Sequence, residues 1–306
     1  MDGTLPAIAA AGLAVHVVAA MLGLGLASGP AGLVAALGDR SRTLRLVTAG
    51  GVVAPLGAWA VGTLVGLELP LLVGLVLLGA AAGPPALGAL GRRLGDVDTL
   101  PAGHTVTLTA VGVVAMVLLL TGPVPLDVRA SDVLLPLAAG VVLPLVGGVV
   151  ARSSDEVGVD RLLPLLERLT LAALAIGGGS ALLLSLPAML RAVGTGGVLA
   201  LVLFGSVCVG AGALLGAGRP GVGLTLAVAT LQRNLPVAAL LAITTFRSEP
   251  TVLAMVLGGV VLLRVLQVPF APLTGGDGDP ATEAPERSTS LSAPRHGRAS
   301  EDALRP

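Results

Sequence analysis

Lysine and tyrosine are absent from this 306-residue chain, cysteine occurs once, and only 12% of the residues are charged. Arginine and histidine therefore carry all of the positive charge, and with a formal net charge of +0 there is no basic field of the kind that binds nucleic acid. The one cysteine, Cys208, has no partner for an internal disulfide and sits in an apolar run, so it reads as a small packing residue. Carboxylates are almost missing from the long apolar runs, and there is no HExxH, no GxSxG elbow with partners and no aspartate-rich motif. Neither an intramembrane enzyme nor a metal site is expected.

What fills the chain is apolar: 54% of residues are hydrophobic and the mean hydropathy is +0.95, more than a water-soluble globule of this size tolerates. A lipid bilayer is the expected solvent. Runs of about 20 apolar residues, the length that spans hydrocarbon as a helix, recur from end to end. About nine are counted, near residues 5–28, 43–66, 70–90, 103–121, 132–151, 169–190, 196–216, 221–246 and 251–272. The first follows Asp2 instead of a basic region, which favours a true span over a signal peptide. Trp59 reads as a bilayer or packing aromatic.

Nine spans with a cytoplasmic first loop place Arg40, Arg42, Arg45, Arg92, Arg93, Arg152, Arg161, Arg168 and Arg219 inside, against Arg129, Arg191 and Arg247 outside. That bias predicts an external N-terminus and a cytoplasmic C-terminus. The Ala-, Gly-, Val-, Leu-, Pro- and Arg-rich composition points to GC-rich codons and a bacterial inner membrane. Residues 1–273 form the transmembrane domain, its first repeat about 1–151 and its second about 165–273. Residues 274–306 turn to Gly, Asp, Pro, Ser, Glu and Arg and are expected to be a disordered cytoplasmic tail. The stretch from Arg152 to Arg168 mixes both charge signs with leucines and suits a short amphipathic connector at the inner interface.

Two spans carry interruptions. The third contains Gly83, Pro84 and Pro85; the eighth contains Gln232, Arg233 and Asn234, followed by Pro236. They lie five spans apart, so they run in opposite directions, as in an inverted repeat, and paired broken helices point to a midplane transport site. Proline kinks that only shape packing are the alternative, and Pro55, Pro136 and Pro144 stand elsewhere without polar company. A central arginine costs about 2.5–3.5 kcal/mol on insertion scales. Arg233 either faces an aqueous cavity, where it attracts an anion while Gln232 and Asn234 supply donors and acceptors, or it snorkels or pairs with a backbone carbonyl. Arg264 reads as snorkelling. His104, Thr105, Thr107 and Thr109 open the fourth span, and His104 could carry protons or simply be a satisfied interfacial histidine. His16 suits helix-to-helix hydrogen bonding.

The order of short motifs resembles the bile acid:sodium symporter (BASS) family and its bacterial SBF-like relatives. The segment Met21-Leu-Gly-Leu-Gly-Leu is similar to the family's early "MGL" segment, and Gly51-Val-Val-Ala-Pro55 to its proline-bearing next helix. The run from Gly74 to Pro85 and Arg92-Arg93-Leu-Gly95-Asp96-Val97 resemble the first crossing helix and the step after it. Val141-Val-Leu-Pro144-Leu-Val-Gly147 fits the fifth-helix region, and Ala229-Thr-Leu-Gln232-Arg-Asn234 the "QN" segment of the second crossing helix. The resemblance implies an all-α, inverted-repeat fold with panel and core domains and two crossing broken helices, here lacking the first of the family's ten. It departs from the sodium-coupled members at Val228, Ala229 and Thr230, which offer no carboxylate, near Leu87 and Gly88, which replace a Ser-Asn pair, and around Gly50, where a glutamine is expected. A hard cation needs several oxygens, so a high-affinity sodium site is not expected.

The reading is a secondary transporter of a small organic solute, anionic or amphipathic, working by alternating access, with Gln232, Arg233 and Asn234 as solute-binding or site-shaping groups. Thr230, Gly83, Pro84 and Pro85 would line the crossing, with His104 and Thr105 bordering it from the cytoplasmic side. No cofactor is expected; proton coupling through His104 and uncoupled uniport both stay open. A transport-dead binding or regulatory protein is the alternative. The bilayer and the solute are the partners.

Overall fold

The computed structural model describes residues 3–83, 102–122, 128–154, 156–217 and 222–267. Pro84, Pro85, the Arg92–Val97 motif, Arg219 and the tail 274–306 lie outside the described residues. In lipid each backbone N–H and C=O must be satisfied within its own segment, and long runs of Leu, Val, Ala and Gly meet that demand as helices. These are α1 (Thr4–Gly38), α2 (Arg40–Val65), α3 (Leu69–Ala80), α4 (Ala102–Thr121), α5 (Ala130–Ser154), α6 (Glu156–Ala192), α7 (Gly197–Leu215), α8 (Val222–Leu231), α9 (Leu235–Thr245) and α10 (Pro250–Gln267). Among the described residues there is no strand.

Eight stretches are long and apolar enough to cross a membrane, α8 and α9 together forming one of them. The protein is a multi-pass, all-helical membrane protein. The third apolar run, near 70–90, is described as far as Gly83, and its helical part is α3, whose 12 residues reach about 18 Å at 1.5 Å per residue. Large apolar side chains such as Leu118, Leu135, Leu183 and Leu190 lie exposed, which suits contact with acyl chains.

Two boundaries differ from the sequence reading. The first helix does not stop at Ser28 but kinks at Gly29 (φ 56, ψ −179), a conformation reserved for glycine, and continues through Pro30 to Gly38. The stretch Arg152 to Arg168 is not a separate connector: its first residues end α5, and from Glu156 it is the opening of the 37-residue α6. The physical reason is packing. Val159, Leu163 and Leu166 lie against Ala19, Leu22 and Leu26 of α1, and that apolar contact carries the helix on.

Small residues let these helices approach. A Cβ on Gly12 of α1 would come 2.5 Å from the Cα of Gly177 on α6, a close crossing that only glycine permits. His16 Nδ1–H donates to the Thr170 carbonyl across the same interface at 2.8 Å.

Two π-helical segments, Val47–Val53 in α2 and Ala138–Val142 in α5, each stand just before a proline, Pro55 and Pro144. In α2 the Ala54 N–H reaches back to the Ala49 carbonyl. The next donor in that pattern would be residue 55, and proline has none. The Gly50 carbonyl is thereby left for a partner outside its helix.

Candidate functional site

Helices α8 and α9, of 10 and 11 residues, flank the non-helical triplet Gln232-Arg233-Asn234, so the interruption falls midway along the span. Pro236 stands in the first turn of α9, where a missing N–H costs nothing. The window of this span is 78% buried, against 22–56% for the other seven, so the polar triplet is wrapped by protein instead of lipid.

The non-helical end of α3 meets this break. Beyond α3 the chain runs non-helically through Ala81, Ala82 and Gly83, and the backbone N–H of Asn234 donates to the Ala81 carbonyl at 2.7 Å. The Asn234 side-chain amide lies 3.5 Å from the Gly83 carbonyl, at the edge of hydrogen-bond range. From α4, the Thr109 hydroxyl lies 3.1 Å from that carbonyl and 2.8 Å from the Thr105 carbonyl, and its single proton serves one at a time. Gly83 has φ +83 and faces Thr109 directly: an added Cβ would come 2.6 Å from the Thr109 nitrogen. Ala81, Ala82, Thr109 and Asn234 line a cavity of about 10 Å³, room for a single water.

Arg233 points elsewhere, although it is Asn234's neighbour. It is 4% exposed, and its Nη1 donates to the Gly50 carbonyl at 2.9 Å. Nη2 stands 3.6 Å from the Cys208 sulfur, and the guanidinium carbon lies 5.9 Å from the centroid of the Phe204 ring. Of the arrangements the sequence leaves open, the carbonyl pairing is the one present. No described carboxylate pairs with Arg233, and its Nε–H has no partner among the described residues.

The remaining candidates distribute around these two groups. Thr230 is buried and its hydroxyl donates to the Leu226 carbonyl of its own helix at 2.7 Å. Gln232 is half-buried, and its side chain makes no hydrogen bond among the described residues. His104 and Thr105 are 2% and 1% exposed, near the start of α4 beside Gly103, which packs on the backbone of Gly32. The Thr105 hydroxyl has no partner among the described residues. Arg264 is exposed, with Gln267 Oε1 at 3.3 Å. No group of three or more His, Cys, Asp or Glu side chains that could hold a metal occurs among the described residues.

Sequence reasoning passed over Thr109, Gly50 and Phe204 as members of these groups. The spacing of Thr105 and Thr109, one helical turn apart, and the five-residue spacing from Gly50 to Pro55 were the available signals. No protein-family model matches the chain, and no curated protein matches it.

Proposed function

We propose that the protein is a secondary transporter of the bile acid:sodium symporter type, moving a small organic anion by alternating access across a bacterial inner membrane, N-terminus outside and C-terminus in the cytoplasm. One observation carries the reading. The Asn234 N–H bonds the Ala81 carbonyl where the non-helical end of α3 meets the break between α8 and α9, inside an otherwise apolar bundle. Interrupting a helix in lipid exposes backbone groups that are costly unless paired, and such paired breaks frame midplane solute sites in transporters built from repeats.

Among the described residues the Thr109 hydroxyl and the Asn234 amide are the polar side-chain groups that line the junction cavity, and both are neutral. They can orient a solute by hydrogen bonds without charging the bilayer interior. At about 10 Å³ the cavity holds no organic molecule, so loading requires the elements around the junction to separate, which is the motion that alternating access supplies.

The test is a screen of labelled organic anions for uptake into proteoliposomes, with and without sodium and with a pH gradient. Accumulation of at least one solute, lost in Asn234→Ala, is expected; absence of uptake for every solute under all three conditions would sink the transporter reading. A binding or regulatory membrane protein without flux is the second reading, favoured by the small size of the cavity and by the carboxylate-free run Val228, Ala229 and Thr230. A solute-dependent rise in Tm without flux identifies it.

A further inference from the structure

Arg233 is a permanent charge held at 4% exposure halfway along a span, with no described carboxylate to balance it. What surrounds it is what receives a cation: the carbonyl oxygen of Gly50 at 2.9 Å, the sulfur of Cys208 at 3.6 Å and the face of Phe204 at 5.9 Å. The Gly50 carbonyl is there to accept because Pro55 cannot donate to it. Arg233 also stands two residues beyond Leu231, where α8 ends and its backbone dipole is negative. In transporters with interrupted helices, such C-terminal ends and unwound carbonyls are where a coupling cation binds. Here the chain places a cation of its own against them, and a second positive charge alongside would be repelled in a medium that screens poorly.

We propose that the Arg233 guanidinium is a resident cation: it fills the position beside the broken end of α8 that a dissociable alkali cation would otherwise occupy, so that solute movement is independent of sodium. The occupancy of the position stands without the transporter reading; only the clause on solute movement rests on it.

The experiment has two arms, both on the full-length protein. In detergent, melting is compared in sodium and in choline chloride for the unaltered protein and for Arg233→Ala. The unaltered protein melts at the same temperature in both salts. Arg233→Ala melts lower, and low-millimolar methylguanidinium, which fits the space left by the deleted side chain, restores at least half of the loss while choline restores none. A sodium-dependent rise in Tm of the unaltered protein overturns the proposal. So does an Arg233→Ala protein whose loss responds neither to methylguanidinium nor to an alkali cation, because Arg233 then only packs. If Arg233→Ala yields no folded protein, Arg233→Lys, which keeps the charge, is melted in its place, and a sodium response in that variant overturns the proposal equally. In proteoliposomes, equal uptake in sodium and choline is expected, and uptake that needs sodium overturns the proposal. Absence of any uptake counts against the transporter reading alone, because the melting arm is decided without flux.

Discussion

The Gly50 carbonyl accepts from Arg233, 183 positions along the chain, because Pro55, five residues after Gly50, has no N–H to offer it. A π turn followed by proline thus acts as a backbone acceptor aimed at another helix, and it fixes where a charged side chain can rest inside an apolar bundle.

The two residues are therefore expected to be energetically coupled. Arg233→Ala alone leaves the Gly50 carbonyl buried without a donor and should cost about 1–3 kcal/mol beyond the lost packing. In a Pro55→Ala background the restored N–H can serve that carbonyl, and Arg233→Ala should cost less by about 0.5–3 kcal/mol. A double-mutant cycle on unfolding free energies measures the difference. Equal cost in both backgrounds means that the proline does not set the acceptor free.

The junction between the end of α3 and the break after α8 rests on a backbone donor more than on the side chain that marks it. Asn234 has φ −79, within the range a proline ring adopts, so Asn234→Pro removes the N–H donated to Ala81 with little strain at its own φ. Asn234→Pro is expected to cost about 1–3 kcal/mol. Asn234→Ala, which deletes only a contact of 3.5 Å, should cost less than about 1 kcal/mol. Thermal melts of the two variants in one detergent give the ranking, and the reverse order contradicts it.

Spans were legible because crossing hydrocarbon takes about 20 apolar residues, and the runs near residues 103–121 and 196–216 recur as α4 and α7 within a residue or two. The interruption at Gln232 to Asn234 was legible because three polar residues and a proline cannot continue a lipid-exposed helix. Other features depend on contacts that a linear reading does not contain. Pro55 reads as a packing kink until the partner of Gly50 is known. The residues from Glu156 read as an interfacial connector because their leucines have no assigned neighbour, and only the apposition to Leu22 and Leu26 shows the stretch to be the start of α6. Which way Arg233 turns is likewise set by Phe204 and Cys208, which nothing in the local sequence announces.

Gly83 and Gly66 separate two reasons for needing glycine. Both have positive φ, +83 and +72, but a Cβ on Gly83 would collide with Thr109, whereas nothing lies within 4 Å of one on Gly66. Gly66→Ala should therefore cost only the left-handed backbone penalty of about 1–2 kcal/mol. Gly83→Ala adds overpacking of about 1–3 kcal/mol and should also push α4 away from the junction. Chemical denaturation resolves the two. Equal losses would show that α4 yields freely at Thr109.

Thr105 and Thr109 stand one turn apart on α4, and their hydroxyls are in opposite situations. Thr109 has two carbonyls in reach, one of them across the junction, so Thr109→Val should destabilise by about 0.5–1.5 kcal/mol. The Thr105 hydroxyl is buried without a partner among the described residues, which in a closed protein is a cost awaiting compensation. Replacing it by valine, nearly the same shape, should leave the Tm unchanged or raise it. If the compensation comes from a solute that enters when the junction opens, Thr105→Val should also lower solute affinity by about tenfold, the equivalent of roughly 1.4 kcal/mol. A variant that melts higher and transports less supports a hydroxyl kept for the solute. One that melts lower has lost a structural bond, and Thr105 then belongs to the packing of α4 and not to the pathway.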